Sequence, residues 1–147
     1  MKKILIPVDG SEYSQKALEQ AKELMGAFGC QVLLVHAVEG PNLHRRLNLG
    51  APQMEWTKEI FDENDIQDAE KMLQEYKDSF GDKKDQVSTQ VLLGFASDEI
   101  IKAINESDVD LAIMGSRGIG STFYRNFMGS VTNKVLHHAE KPILVVR

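Results

Sequence analysis

Five short apolar runs, separated by stretches of helical periodicity, constrain this chain more than any other feature. They are Ile4–Val8, Val32–Val38, Val87–Leu93, Leu111–Met114 and Pro142–Val146. Each has the length of a strand and is bounded by Gly, Asp, Pro or a polar cluster. Val32–Val38 is apolar on both alternating faces, as a strand at the centre of a parallel sheet must be. Strands that alternate with helices favour right-handed crossovers and helices on both faces of the sheet. The expected architecture is therefore α/β: a single domain over residues 1–147, with an open five-stranded parallel sheet covered on both faces.

The intervening segments read as helices with definable ends. Asp9-Gly10-Ser11 turns into a helix whose apolar stripe is Ala17, Leu18, Ala21, Leu24, Met25 and Phe28, and Gly29 stops it. Residues 39–54, with Gly40, Pro41, Asn42, Gly50 and Pro52, read as a long mobile loop. A polar helix follows from about Glu55 to Phe80, with Ala69, Met72, Leu73, Tyr76 and Phe80 on one face. Ser97 is placed to cap a short helix that turns Ile100, Ile101 and Ile104 inward. In such a sheet ligands bind beyond the carboxyl ends of the strands, where strand order reverses. Asp9, Ala37, Gly94 and Gly115 all fall on that edge.

One loop on this edge carries chemistry. Leu111–Met114 runs into Gly115-Ser116-Arg117-Gly118; ten residues later come Gly129-Ser130 and a helical pattern, Val131, Val135, Leu136, Ala139. Gly115 is expected to turn the chain at φ values other residues avoid, and Gly118 and Gly120 to let backbone approach a ligand. A helix start offers unpaired N–H groups and the positive end of the dipole, which suits a phosphate. No Gly-Lys-Ser or Gly-Lys-Thr occurs, so this is not a P-loop. Phe123 at the third glycine position also excludes a dinucleotide fingerprint. The competing account is a loop whose glycines only turn the chain.

Composition narrows the classes of partner. A net charge of -5 argues against nucleic acid, whose backbone needs clustered Lys and Arg. No apolar run approaches membrane-spanning length, and Met1-Lys2-Lys3 leads into a strand rather than a signal sequence. The single cysteine, Cys30, excludes an internal disulfide, suits a reducing cytoplasm and reads as inert. His137 and His138 are adjacent, point about 100° apart on a helix and cannot chelate one ion together. His36 fits a hydrogen-bonded core or pocket-edge residue better than a catalyst. Asp9 is either a turn residue and cap or an acceptor for a nucleoside. Arg117 and Arg125 either meet phosphate oxygens or face solvent. No Ser–His–Asp or Cys–His arrangement is evident, so no catalytic residue and no metal ligand is assigned.

With these residues assembled, the chain resembles the ATP-binding type of universal stress protein. The resemblance runs end to end, through Lys3–Ser11, Leu34-Val35-His36, Asp110–Gly118, Gly129-Ser130-Val131 and Lys141–Val146. The family pattern is Gly, two residues, Gly, nine residues, then Gly followed by Ser or Thr. Here ten residues separate Gly118 from Gly129, and a one-residue insertion bulging outward near Ile119–Thr122 accounts for the difference.

The resemblance implies an adenine-nucleotide-hydrolase-like, Rossmann-like sheet. Pro7, Val8, Asp9 and Ala37 would line adenine and ribose, while Met114, Gly115, Arg117 and Gly118 would bracket ribose and phosphate. Gly129, Ser130, Val131 and Thr132 would hold the phosphate tail. It further implies ATP with Mg or a similar divalent cation, and a homodimer through Ile143–Val146. The resulting expectation is a cytoplasmic ATP-dependent stress-response sensor or adaptor rather than an enzyme. The alternatives are a slow ATPase and a nucleotide-free dimeric interaction module.

Overall fold

A computed structural model of the chain describes residues 1–39, 61–118 and 128–147. The expected loop at 39–54 therefore falls outside the described residues, except Glu39, as do Gly120, Phe123, Arg125 and the insertion near Ile119–Thr122. The strands are β1 (Lys3–Pro7), β2 (Gln31–Val38), β3 (Val87–Leu93), β4 (Leu111–Gly115) and β5 (Ile143–Val146). The helices are α1 (Glu12–Phe28), α2 (Glu63–Asp78), α3 (Ala96–Glu106) and α4 (Ser130–His138), and a 3-10 turn spans Gly81–Gln86. All strand pairs are parallel, in the order β3-β2-β1-β4-β5. The expected five-stranded α/β sheet is thus observed. Strand order reverses between β1 and β4, which makes the carboxyl ends of those two strands the crevice of the fold.

Alternation along the strands divides the core into two layers. Ile4, Ile6, Val32, Leu34 and Ile113 face α1 and α2, where they meet Ala17, Leu18, Ala21, Met25 and Leu73. Leu5, Leu33, Val35, Ala112 and Met114 face the opposite way, onto Ile100 and Ile104 of α3 and Val135 of α4. A satellite cluster of Val38, Phe61, Ile66 and Ala69 closes the start of α2 over the sheet. Among the described residues no helix is long and apolar enough to cross a membrane.

Helix ends differ from expectation in three places. Ser11 caps α1, accepting from Ser14 N at 3.2 Å, and Gly29 closes it with a left-handed φ of 66°. Phe28, however, the last residue of α1, lies 60 % exposed. The polar helix starts at Glu63, not near Glu55, because Asp62 caps it by accepting from Asn64 N at 2.8 Å. Residues 55–60 lie outside the described residues. Ser97 does not cap α3: it sits inside the first turn. The end is closed instead by Glu39, just past β2, whose Oε1 accepts from Ala96 N at 3.0 Å. A carboxylate at a helix N-terminus is favoured by the dipole.

Candidate functional site

The turn from β1 into α1 builds the first wall of a cleft at the switch point. Asp9 Oδ1 accepts from Ser11 N at 3.0 Å and from Ser14 Oγ at 2.8 Å, and Asp9 N donates back to Ser14 Oγ at 2.9 Å. This closed set holds the carboxylate rigid at the mouth of the cleft. Ser14 is buried and occupied with this task. On α2, burial and then the negative charge of Asp9 push the Tyr76 phenol up, while a backbone hydrogen bond from Gly10 draws it partly back. Asp9 is therefore both the turn-closing residue and an acceptor presented to the cleft.

The second wall is the exit of β4. Ser116 N donates to Val146 O at 2.7 Å, and Ser116 O accepts from Gly129 N at 2.8 Å. The Ser116–Gly118 segment is thereby pinned between the end of β5 and the start of α4. Thr132 Oγ1 donates to Gly115 O at 2.8 Å, which adds a second tie between α4 and β4. Arg117 is buried in this wall rather than facing solvent, which removes one of its two expected readings.

Three glycines let the walls meet. Gly115 does not take a left-handed φ, contrary to expectation; the positive-φ glycines among the described residues are Gly10, Gly29, Gly81 and Gly94. A Cβ on Gly115 would fall 2.5 Å from Tyr13 Cβ and 3.0 Å from the Tyr13 carbonyl carbon. Its missing side chain is what allows α1 to lie against the end of β4. At Gly118 a Cβ would fall 2.6 Å from Asp9 Oδ2, so this glycine admits the carboxylate to the loop. At Gly129 a Cβ would approach Arg117 Cα at 3.3 Å, so the helix start rests on the β4 loop itself.

The cleft enclosed by these walls has a volume of about 300 Å³, the lower end of the range for small-molecule sites. Pro7, Val8, Asp9, Ala37, Met114, Gly115, Arg117, Gly118, Gly129, Ser130, Val131 and Thr132 all line it, so the structure brings every expected site residue together. Ser14, His36, Ala96 and Ile100 line it too. Two signals in the sequence point to them. Ser14 stands three residues after the Ser11 cap, and Ala96 and Ile100 form an i, i+4 pair on the helix that leaves the Gly94 strand end. His36 sits as a pocket-edge residue: its Nδ1 donates to Val8 O at 2.6 Å.

The two ends of the cleft differ in chemistry. Pro7, Val8, Ala37, Ala96, Ile100 and Met114 form an apolar slot. Ala37 shares the backbone direction of Val35, whose carbonyl accepts from Val8 N at 2.9 Å. Its own N–H and C=O therefore point past Pro7, the last β1 residue in register, into the slot. At the other end the first-turn N–H groups of Ser130, Val131 and Thr132 have no acceptor within α4, and Arg117 lines the same part of the cleft. Thr132 offers only its N–H there, since its hydroxyl is committed to Gly115 O. Such an arrangement accommodates a flat apolar group at one end and an anion at the other.

Side chains away from the cleft match their plain readings. His137 Nδ1 donates to Asn133 O at 2.7 Å within α4, and both helix-end histidines are exposed. Cys30 is a buried free cysteine, and burial pushes its thiol up. Among the described residues no group of three or more His, Cys, Asp and Glu is placed to hold a metal ion.

Comparison with known proteins identifies the family and the fold. The sequence pattern of the Universal stress protein family matches residues 1–147. Universal stress protein MJ0577 of Methanocaldococcus jannaschii is 30% identical over 155 residues, covering 99% of this chain and 94% of its own. The solved structure of the hypothetical protein MJ0577 superposes with a TM-score of 0.73 at 28% identity, covering 99% of this chain and 94% of that one. A universal stress protein from Archaeoglobus fulgidus, solved in complex with dAMP, superposes with a TM-score of 0.66 at 21% identity, covering 100% of this chain and 98% of that one. At that identity the likeness is one of fold.

Proposed function

Since the chain belongs to the universal stress protein family, we propose that its cleft binds ATP and that the protein acts as a nucleotide-dependent stress-response sensor or adaptor in the cytoplasm. The observation that carries this reading is the pairing, in one cleft, of an apolar slot with an anion-suited helix start. The Ala37 C=O and N–H present an acceptor and a donor to the slot, and the adenine edge offers N6–H and N1 in the complementary order. Guanine presents O6 and N1–H, the reverse order, so a base held in one orientation is discriminated. Asp9 meets the ribose side, and the α4 N-terminus with Arg117 meets the phosphates. The dAMP-bound Archaeoglobus relative has an adenine nucleotide on the same fold.

Magnesium fits as a companion of the triphosphate rather than as a resident ion. Asp9 is the one carboxylate among the described lining residues. Mg²⁺ is commonly held by one or two carboxylates, substrate phosphates and its own waters. The ion would neutralise phosphate charge; Asp9 and the Ser130 hydroxyl would orient it. A homodimer through β5 belongs to the same proposal: among the described residues β5 pairs only with β4, and Leu144 is exposed on it.

Mass spectrometry of small molecules released from freshly purified protein, followed by calorimetry, tests the reading. ATP is expected to bind, and GTP more weakly. Absence of heat and of competition with either nucleotide, up to millimolar concentration, would sink the binding claim. Single-turnover incubation with ATP at stoichiometric protein is expected to leave the nucleotide intact, and release of ADP would make the protein a slow ATPase instead.

A further inference from the structure

We propose that the outer edge of β3 is a docking site for an extended peptide segment of alternating apolar and basic residues, added as a sixth strand. Among the described residues β3 ends the sheet and pairs with β2 alone. Gly94 N donates to Val38 O at 3.1 Å, which fixes the direction of every backbone group along the strand. Ser88, Gln90 and Leu92 face β2, so the N–H and C=O groups of Thr89, Val91 and Leu93 face outward. Among the described residues none pairs with them. Exposed sheet edges are ordinarily blunted by Lys, Pro, a bulge or short length. This strand, Val-Ser-Thr-Gln-Val-Leu-Leu, has seven residues and no charge or proline.

A groove flanks the edge on each face, and the two differ in chemistry. On the α2 side a groove of about 380 Å³ is lined by Ile66, Leu73, Val91 and Leu93 together with Gln74 and Thr89. On the α3 side a groove of about 260 Å³ carries Glu99 and Glu106 against a single Lys102. The Ser107 hydroxyl in that second groove is buried and has no hydrogen-bond partner. An added strand sends alternate side chains to opposite faces, so apolar residues would enter the first groove and lysines or arginines the second. Glu70 at the rim of the first groove adds to the acidic character. A second copy of β3 fits less well, since two-fold pairing would bring the same carboxylates together. This inference does not depend on the nucleotide reading.

The test uses a capped synthetic nonapeptide of alternating Lys and Val, with an alternating Glu and Val peptide as its counterpart. Backbone NMR and amide exchange follow Thr89, Val91 and Leu93. The expected result is saturable binding of the Lys peptide, slowed exchange at these three amides, and no binding of the Glu peptide. Thr89→Pro removes an outward N–H without touching the β2 ladder, and it should weaken binding at least about tenfold in a folded protein. Glu99→Gln with Glu106→Gln should weaken it similarly, with the fold checked by circular dichroism.

Equal binding of the Glu peptide, or undiminished binding by Thr89→Pro, overturns the proposal. Slow exchange at the three amides in the free protein at low concentration would mean that residues 40–60 cover the edge. Protection that grows with protein concentration would mean a second copy does. Either result overturns the proposal as well.

Discussion

Gly115→Ala is the sharpest probe of how the cleft is assembled. The new Cβ would stand 2.5 Å from Tyr13 Cβ, 3.0 Å from the Tyr13 carbonyl carbon and 3.1 Å from its oxygen. Carbon atoms in contact prefer about 3.5–4.0 Å, so α1 and β4 must part by roughly 1 Å. A change of rotamer gives no relief, because two of the three atoms are backbone. Overpacking of this kind costs about 1–3 kcal/mol. For a domain of this size, that is a fall in Tm of about 2–12 °C. The shift also carries the first turn of α1, and with it the Ser14–Asp9 hydrogen bonds at the cleft mouth, so ATP affinity should fall too.

Gly26→Ala makes the same chemical change in the interior of α1, where the nearest atom to the new Cβ is the flexible Lys83 Nζ at 3.7 Å. There the gain in helix propensity should stabilise by about 0.5–1 kcal/mol. Urea denaturation and calorimetry on the pair decide the matter. A Gly115→Ala protein within about 0.5 kcal/mol of the parent, the range of an ordinary surface substitution, with unchanged ATP affinity would refute the account of close helix–strand contact.

Gly118→Ala should act on binding more than on folding. Among the described residues its Cβ meets the Asp9 carboxyl, with Oδ2 at 2.6 Å, the end of a side chain, so ATP affinity is expected to drop at least about tenfold, or about 1.4 kcal/mol. Calorimetry beside a thermal melt separates the two effects. The backbone N–H groups of Lys2 and then Lys3 hold the Asp110 carboxyl below its ordinary value of 3.8. The stability this supplies is present above that value and is lost as pH falls through the folded-state pKa. The gap between parent and Asp110→Asn in urea melts should therefore close on acidification below pH 3.8. Val145→Glu on β5 should yield a monomer from a parent that sediments as a dimer; a monomeric parent at micromolar concentration would refute the dimer.

What the sequence discloses here is what local pattern encodes. The alternation of Ile4, Leu5 and Ile6, and of Val32 to Val35, places each residue in the layer it occupies. Gly29 and Ser11 close α1 as their chemistry requires. Through-space partners are another matter. Gly115 reads as a turn glycine, yet its role is set by Tyr13, a hundred residues earlier, and no local signal joins them. The α3 cap comes from Glu39, far from Ser97 in sequence, because the parallel crossover brings the end of β2 beside the start of α3. Phe28 satisfies the helical period but stands exposed as the last residue of α1.

The cleft is lined by residues from β1, α1, β2, α3, β4 and α4, drawn from nearly the whole length of the chain. A fragment that ends before α4 lacks part of it, and global unfolding destroys it. A ligand seated there therefore recognises the native state, and its binding energy is added to the free energy of global unfolding. At a concentration about a hundred times Kd that increment is about 2.7 kcal/mol. The population of protease-sensitive chains would fall by roughly a hundredfold. The survival time of this protein would then be set by the concentration of whatever occupies the crevice.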